Sequence, residues 1–141
     1  DRRQSQMCIR ERINEFQTIF FTCKLQRIEL CEKELKDFIV DDGARFLMLH
    51  VTIRNITNEI LTMYKDDFMI TFDNEGPFEA EDNFGIRNQL PDEYALKPQE
   101  EISGCLVFII SSSAKKIMLS YTEYFDDESE GKTYKLKYKI G

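Results

Sequence analysis

Apolar and polar positions alternate along most of this 141-residue chain. Ile19, Phe21, Cys23 and Leu25 take one parity, and Phe20, Thr22, Lys24 and Gln26 take the other. That is the period of a strand with one buried face. Ile28 and Leu30 then fall on the opposite parity, a slip that predicts a bulge near Gln26–Arg27 or two successive strands. Arg45 to Asn55 is the clearest strand. Leu47, Leu49, Val51 and Ile53 share one of its faces, while Phe46, Met48, His50, Thr52 and Arg54 share a mixed one. Phe68, Ile70 and Phe72 alternate again, followed by the turn residues Asp73 to Pro77. The stretch from Phe78 to Pro98 is polar and irregular, with Phe84, Ile86, Leu90 and Tyr94 as isolated anchors. Glu101 to Ile110 is apolar on both faces, as in a central strand covered on both sides. Ile117, Leu119 and Tyr121 share a face. In the last strand Tyr134, Leu136, Tyr138 and Ile140 point in, and Lys135, Lys137 and Lys139 point out, where they would protect a sheet edge.

The N-terminus reads differently. Ile9, Ile13 and Phe16 follow the i, i+4, i+7 spacing of one helical face, with Arg10, Glu11, Arg12 and Glu15 elsewhere. A short helix, or a linker, is expected over residues 1–16, ahead of a domain spanning 17–141. About seven strands with no helix between them predict an all-β, antiparallel two-sheet sandwich and disfavour a doubly wound α/β fold.

Composition narrows this picture. The chain is 42% hydrophobic and 32% charged, which excludes a disordered or low-complexity chain. No apolar run approaches the ~18 residues of a membrane-spanning helix. The net charge is −7, and the deficit sits in the middle: residues 41–104 hold 5 basic and 14 acidic side chains. Such a field repels a phosphate backbone, so nucleic acid is not an expected partner. It also disfavours docking on anionic lipid through that section, and its simplest use is solubility. The chain opens at Asp1 without Met, which reads as a trimmed or mature form; the native N-terminus and any leader stay open.

Candidate chemistry is sparse. Cys8, Cys23, Cys31 and Cys105 lack the two-residue spacing of zinc or redox motifs. They allow three disulfide pairings or none; as buried small hydrophobes they need no partner. A serine or cysteine nucleophile needs a base, and the one histidine, His50, sits mid-strand, where a half-exposed structural residue is expected. The glycines form no phosphate-binding motif. Carboxylates gather at Glu79, Glu81 and Asp82 and again at Asp126, Asp127, Glu128 and Glu130. A metal-dependent or carboxylate-based hydrolase would have to bring some of these together; the default is solvated loop charge. Asn55-Ile56-Thr57 is an N-glycosylation sequon, although at the end of a strand it is expected to begin a turn. The aromatics are mostly core. Phe78, Phe84 and Tyr94 in the long loop, and Tyr124 and Phe125 beside the acidic turn, are the candidates for a partner surface.

Two segments carry a family resemblance: Phe46 to Glu59 (FLMLHVTIRNITNE) and Leu96 to Ile110 (LKPQEEISGCLVFII). A strand ending in Val-x-apolar-x-Asn-x-Thr, then Leu-x-Pro-polar-Glu, then Gly-x-apolar-Val-Phe, resembles a bacterial family of unknown function, and Phe72 to Gly76 fits its intervening strand and turn. Its members are mostly Gram-positive lipoproteins and secreted proteins, sometimes mislabelled as telomere repeat-binding factors, and similar in fold to a secreted mycobacterial immunogen. The likeness covers about residues 17–140. The chain departs from it at Gln99, where many members have Gly, and in its basic N-terminal segment. Physically, Asn55 can bond its own backbone, Pro98 marks the start of a strand, and Gly104 admits a close approach by the opposing sheet or an aromatic ring.

The resemblance implies an immunoglobulin-like sandwich outside the cytoplasmic membrane, in the envelope or secreted, with a lipid anchor, if there is one, beyond this chain. It implies a binding role toward a protein or envelope ligand and no enzymatic activity. No catalytic residue, cofactor or metal site is carried over. The rival readings are the hydrolase above and a purely structural spacer domain. Ligand identity and oligomeric state stay open.

Overall fold

The bulge predicted at Gln26–Arg27 organises the first sheet. The computed structural model describes residues 14–32 and 34–141 with their side chains and 3–8 as backbone. In chain order the strands are β1 (Arg3–Cys8), β2 (Glu15–Gln17), β3 (Phe21–Glu32), β4 (Glu34–Leu35), β5 (Phe38–Ile39), β6 (Ala44–Asn55), β7 (Leu61–Tyr64), β8 (Phe68–Phe72), β9 (Glu75–Glu79), β10 (Glu93–Leu96), β11 (Glu101–Ser111), β12 (Lys116–Tyr124) and β13 (Glu130–Lys139). One sheet has the order β1-β3-β6-β11, with β2 also on β3; the other has the order β13-β12-β8-β9. All these strand pairs are antiparallel. In the β3–β6 register Leu25 faces Val51 and Arg27 faces His50, so Gln26 is the extra residue. The bulge lets Leu25 and Ile28, of opposite parity, enter the same core.

The sheets press their apolar faces together. Leu47, Leu49, Val51 and Ile53 meet Phe68, Ile70, Ile117, Leu119 and Leu136, and burial of these groups is the dominant stabilising contribution. A second, smaller core lies on the outer face of the first sheet. Cys31, Phe46, Met48, Cys105 and Val107 are covered there by Leu35, Val40, Phe84 and Ile86. This second layer is why β11 is apolar on both faces. The loop 80–92 supplies part of it and closes the free edge of β11. Glu81 N–H donates to Val107 O at 2.7 Å, Cys105 N–H to Asn88 O at 2.7 Å and Leu90 N–H to Cys105 O at 2.9 Å. Buried Lys65 tethers the same loop: its ammonium donates to Ala80 O and to Asp82, both at 2.8 Å, and to Asp66.

The N-terminal helix expected over residues 1–16 is not what forms. Arg3–Cys8 and Glu15–Gln17 are strands hydrogen-bonded to β3; Ile9 and Ile13, which defined the helical face, lie outside the described residues. An isolated short helix is marginal in water, whereas the edge of β3 offers a row of unpaired backbone groups. Phe16 is buried, but through a strand: its ring stacks on Tyr134 at 5.4 Å and meets Phe21 edge-on at 6.1 Å.

Candidate functional site

The outer face of the first sheet gathers the polar chemistry. The Gln26 bulge puts Arg27 beside His50, and the β6–β11 register puts Cys105 directly opposite His50. His50 Nε2 lies 2.9 Å from Glu29 Oε1, and Arg27 Nη1 lies 3.2 Å from the same oxygen. Thr52 and Ser103 share a 2.7 Å hydroxyl bond. A groove of about 390 Å³ opens over Gln26, His50, Thr52, Asn88 and Ser103. Burial pushes the His50 imidazole below its ordinary value, aided by Arg27 and opposed by the bond to Glu29. Burial, together with the Glu29 charge, pushes the Cys105 thiol up to about 11. Cys105 and His50 are thus cross-strand partners, but the imidazole bonds Glu29 and the thiol is pushed toward its protonated form, which is not the setting of an activated nucleophile.

This cluster makes a pH prediction. The folded state holds His50 less basic than its ordinary 6.5, so the unfolded chain takes up the proton first. The stability contributed by neutral His50 is fully present above pH 6.5 and lost as pH falls through its lowered folded value. Urea midpoints measured from neutral pH to below pH 6.5 should fall less steeply for His50→Gln than for the wild type; parallel curves would refute the assignment.

Next to this groove the second core comes to the surface. Phe84 meets Phe38 edge-on at 4.5 Å and lies 6.5 Å from Phe46, which pairs across the sheet with Ile109. Phe38, Ile39 and Ile109 are 52%, 76% and 41% exposed. Lys36 pins the loop by donating to Phe84 O and Gly85 O at 3.4 and 3.3 Å.

The five aromatics singled out in the sequence are not brought together. Phe84 sits in the patch just described. Phe78 is half-exposed on β9, stacked on Phe72 at 5.5 Å. Tyr94 is half-buried against the main core, and its hydroxyl has no hydrogen-bond partner among the described residues. Tyr124 and Phe125 are exposed where β12 turns toward β13. Sequence reasoning missed Phe38, Ile39 and Ile109. The available signal was the apolar triplet Phe38-Ile39-Val40 inside an otherwise charged segment. The loop carboxylates disperse: Asp82 pairs with Lys65, and Asp127 accepts from the N–H and hydroxyl of Ser129. Among the described residues no group of three or more His, Cys, Asp or Glu side chains is arranged to hold a metal ion. Cys23, Cys31 and Cys105 are buried, and Cys23 and Cys105 are free thiols. No helix among the described residues is long and apolar enough to cross a membrane.

Several solved structures share this fold. A candidate lipoprotein of Bacillus subtilis is 18% identical with a TM-score of 0.67; the match covers 89% of this chain and 39% of that one. The chain thus spans about two fifths of that protein's length. A conserved hypothetical protein of Bacillus anthracis is 16% identical with a TM-score of 0.56, over 82% of this chain and 89% of its own. A second Bacillus subtilis protein is 18% identical with a TM-score of 0.57, over 76% of each. No curated protein matches the chain. A family described as a domain of unknown function, DUF4352, matches residues 17–133, the stretch that holds both motif segments and strands β3 to β12, and the chain belongs to that family.

Proposed function

We propose that the chain is a non-enzymatic binding module with an immunoglobulin-like arrangement of its two sheets. It works outside the cytoplasmic membrane and docks a protein partner on the outer face of its first sheet. The observation that supports this reading is the exposed Phe38 ring packed on Phe84 over the second core, with exposed Ile39 next to it on β5 and exposed Ile109 opposite Phe46 on β11. Most exposed apolar residues are scattered singly; several on neighbouring elements over one core, with a polar rim, have the anatomy of an interface. Here the rim is acidic: Asp37, Asp41 and Asp42 are exposed beside the patch, which favours a partner whose rim is basic. Likeness to a candidate lipoprotein supports the location.

A photo-cross-linking residue placed at position 39 of the full-length protein in its native host tests this. A discrete adduct is expected at 39, absent from a probe at Arg54 and lost in Phe38→Ser/Ile109→Ser. No adduct at 39, or the same adducts at 54, would leave the domain a spacer and overturn the reading.

A further inference from the structure

The outer face of the second sheet carries the opposite charge. Ile117, Leu119, Leu136 and Tyr138 point into the core, so the alternate residues of β12 and β13 point away. These are Lys116, Met118 and Ser120 on one strand and Lys135, Lys137 and Lys139 on the other. Beside them the β8–β9 turn rises against Lys115 and Lys116. A groove of about 730 Å³ opens here, lined by Thr71, Asn74, Lys115, Lys116, Lys137 and Lys139. Asp73 is the one carboxylate in its lining, and its oxygens accept the backbone N–H groups of Lys115 and Lys116 at 3.0 to 3.3 Å. Glu79 sits at the far edge of the face, opposite Met69. Four lysines thus converge in a chain of net charge −7.

Solubility and edge protection do not account for this arrangement. Lys116 and Lys139 are direct cross-strand partners, and like charges placed opposite each other destabilise an antiparallel pair. Among the described residues none of the four lysines is in an ion pair. Edge lysines discourage strand addition to β13, but Lys116 lies inside the sheet, between β13 and β8, and Lys115 precedes the strand. An anion seated between the lysines would relieve this repulsion.

We propose that this groove binds a linear phosphate-bearing polymer. Residues on one face of a strand repeat at about 6.7 Å, so Lys139 and Lys137 in the groove and Lys135 beyond its end set out charge along a line; a single small anion could use only part of it. Thr71 and Asn74 add neutral donors for phosphate oxygens. Tyr138 of the lining is buried, so the groove offers no exposed ring on which a nucleobase could stack, the usual device of single-strand binders. The proposal is independent of the docking face on the first sheet.

The test is titration of the full chain with medium-chain inorganic polyphosphate at low and high salt. Saturable, salt-sensitive binding is expected. Lys116→Gln/Lys137→Gln/Lys139→Gln should lose roughly tenfold or more in affinity and flatten the salt dependence, each lost contact removing a slope of roughly 0.7. The charge-matched control Lys24→Gln/Arg54→Gln/Lys97→Gln should bind as the wild type does. Relief of the Lys116–Lys139 repulsion should leave the groove variant melting at or above the wild type, so that lost binding is not lost folding. Equal affinity in wild type and groove variant, or equal loss in the control, overturns the proposal. So does binding confined to vesicles of equimolar phosphatidylglycerol and phosphatidylcholine, which would point to a membrane surface, or equal affinity for oligothymidine, which would point to nucleic acid.

Discussion

Asn55→Ala should lower the stability of the domain by about 3 kcal/mol, since each buried polar group left unpaired costs roughly 1–3 kcal/mol. Asn55 is fully buried at the end of β6. Its amide nitrogen donates to Glu59 O at 2.7 Å and Leu96 O at 3.0 Å. Its amide oxygen accepts the Thr57 N–H at 2.8 Å and the Thr57 hydroxyl at 2.7 Å. One side chain therefore joins the end of β6, the loop that follows it and β10. Alanine removes the donor that Asn55 gives to Leu96 O inside the fold. Asn55→Asp should be at least as damaging, because it keeps both acceptor contacts but turns an oxygen toward two carbonyls. Thr57→Val, which removes only the hydroxyl, should cost about 1 kcal/mol. Urea titration reads all three: the midpoint should fall in the order Thr57→Val, Asn55→Ala, Asn55→Asp with an unchanged slope. An Asn55→Ala midpoint within error of the wild type would show that the bonds are replaced by water. The same contacts explain why the sequon at Asn55 works as a turn, its amide nitrogen being committed inside the fold.

What could be read from the sequence was what depends on neighbours in sequence. A period of two is a local property, so the inward faces of β3, β6 and β8 and the slip at Gln26 were legible from side-chain polarity alone, and so was a strand covered on both sides at 101–110. The two motif segments are likewise local: Asn55 closes a strand, and Pro98 precedes the next. Register is not local. Nothing near His50 announces that Cys105, 55 positions on, lies across from it, and nothing near Lys116 announces Lys139. Both pairings follow from how long strands align once a hairpin or crossover is fixed. The helix expected at the N-terminus failed for the same reason: helical spacing at Ile9, Ile13 and Phe16 is a local signal, and the waiting edge of β3 is not. The patch at Phe38 and Ile39 was overlooked because a charged segment hides three apolar residues whose meaning depends on Phe84, far along the chain.

Gly104→Val should lift the loop 80–92 off β11, which uncovers the second core and disturbs the first only at its Leu90 corner. A Cβ at this position would stand 2.8 Å from Asn88 O and 2.8 Å from a Leu90 methyl carbon. The close approach comes from the loop 80–92 lying across β11, not from the opposing sheet or an aromatic ring, so the clash is with backbone that cannot rotate away. Overpacking costs typically 1–3 kcal/mol, and an immovable carbonyl oxygen puts this site near the upper end, about 3 kcal/mol. The strain is relieved most readily by lifting the loop, because its bonds to β11 through Asn88 O and Leu90 N–H are the ones forced apart. Thiol labelling separates local from global opening. In a Cys8→Ser background the wild type should label slowly at Cys105, which is buried and whose thiol is pushed up to about 11. In Gly104→Val, Cys105 should label on the order of 100-fold faster, the population change that about 3 kcal/mol confers. Cys31 shares the second core and should follow in part. Cys23 belongs to the main core and should stay protected. Simultaneous exposure of Cys23 and Cys105 would mean that the two layers unfold as one unit, and that the loop is not a separable lid on the outer face.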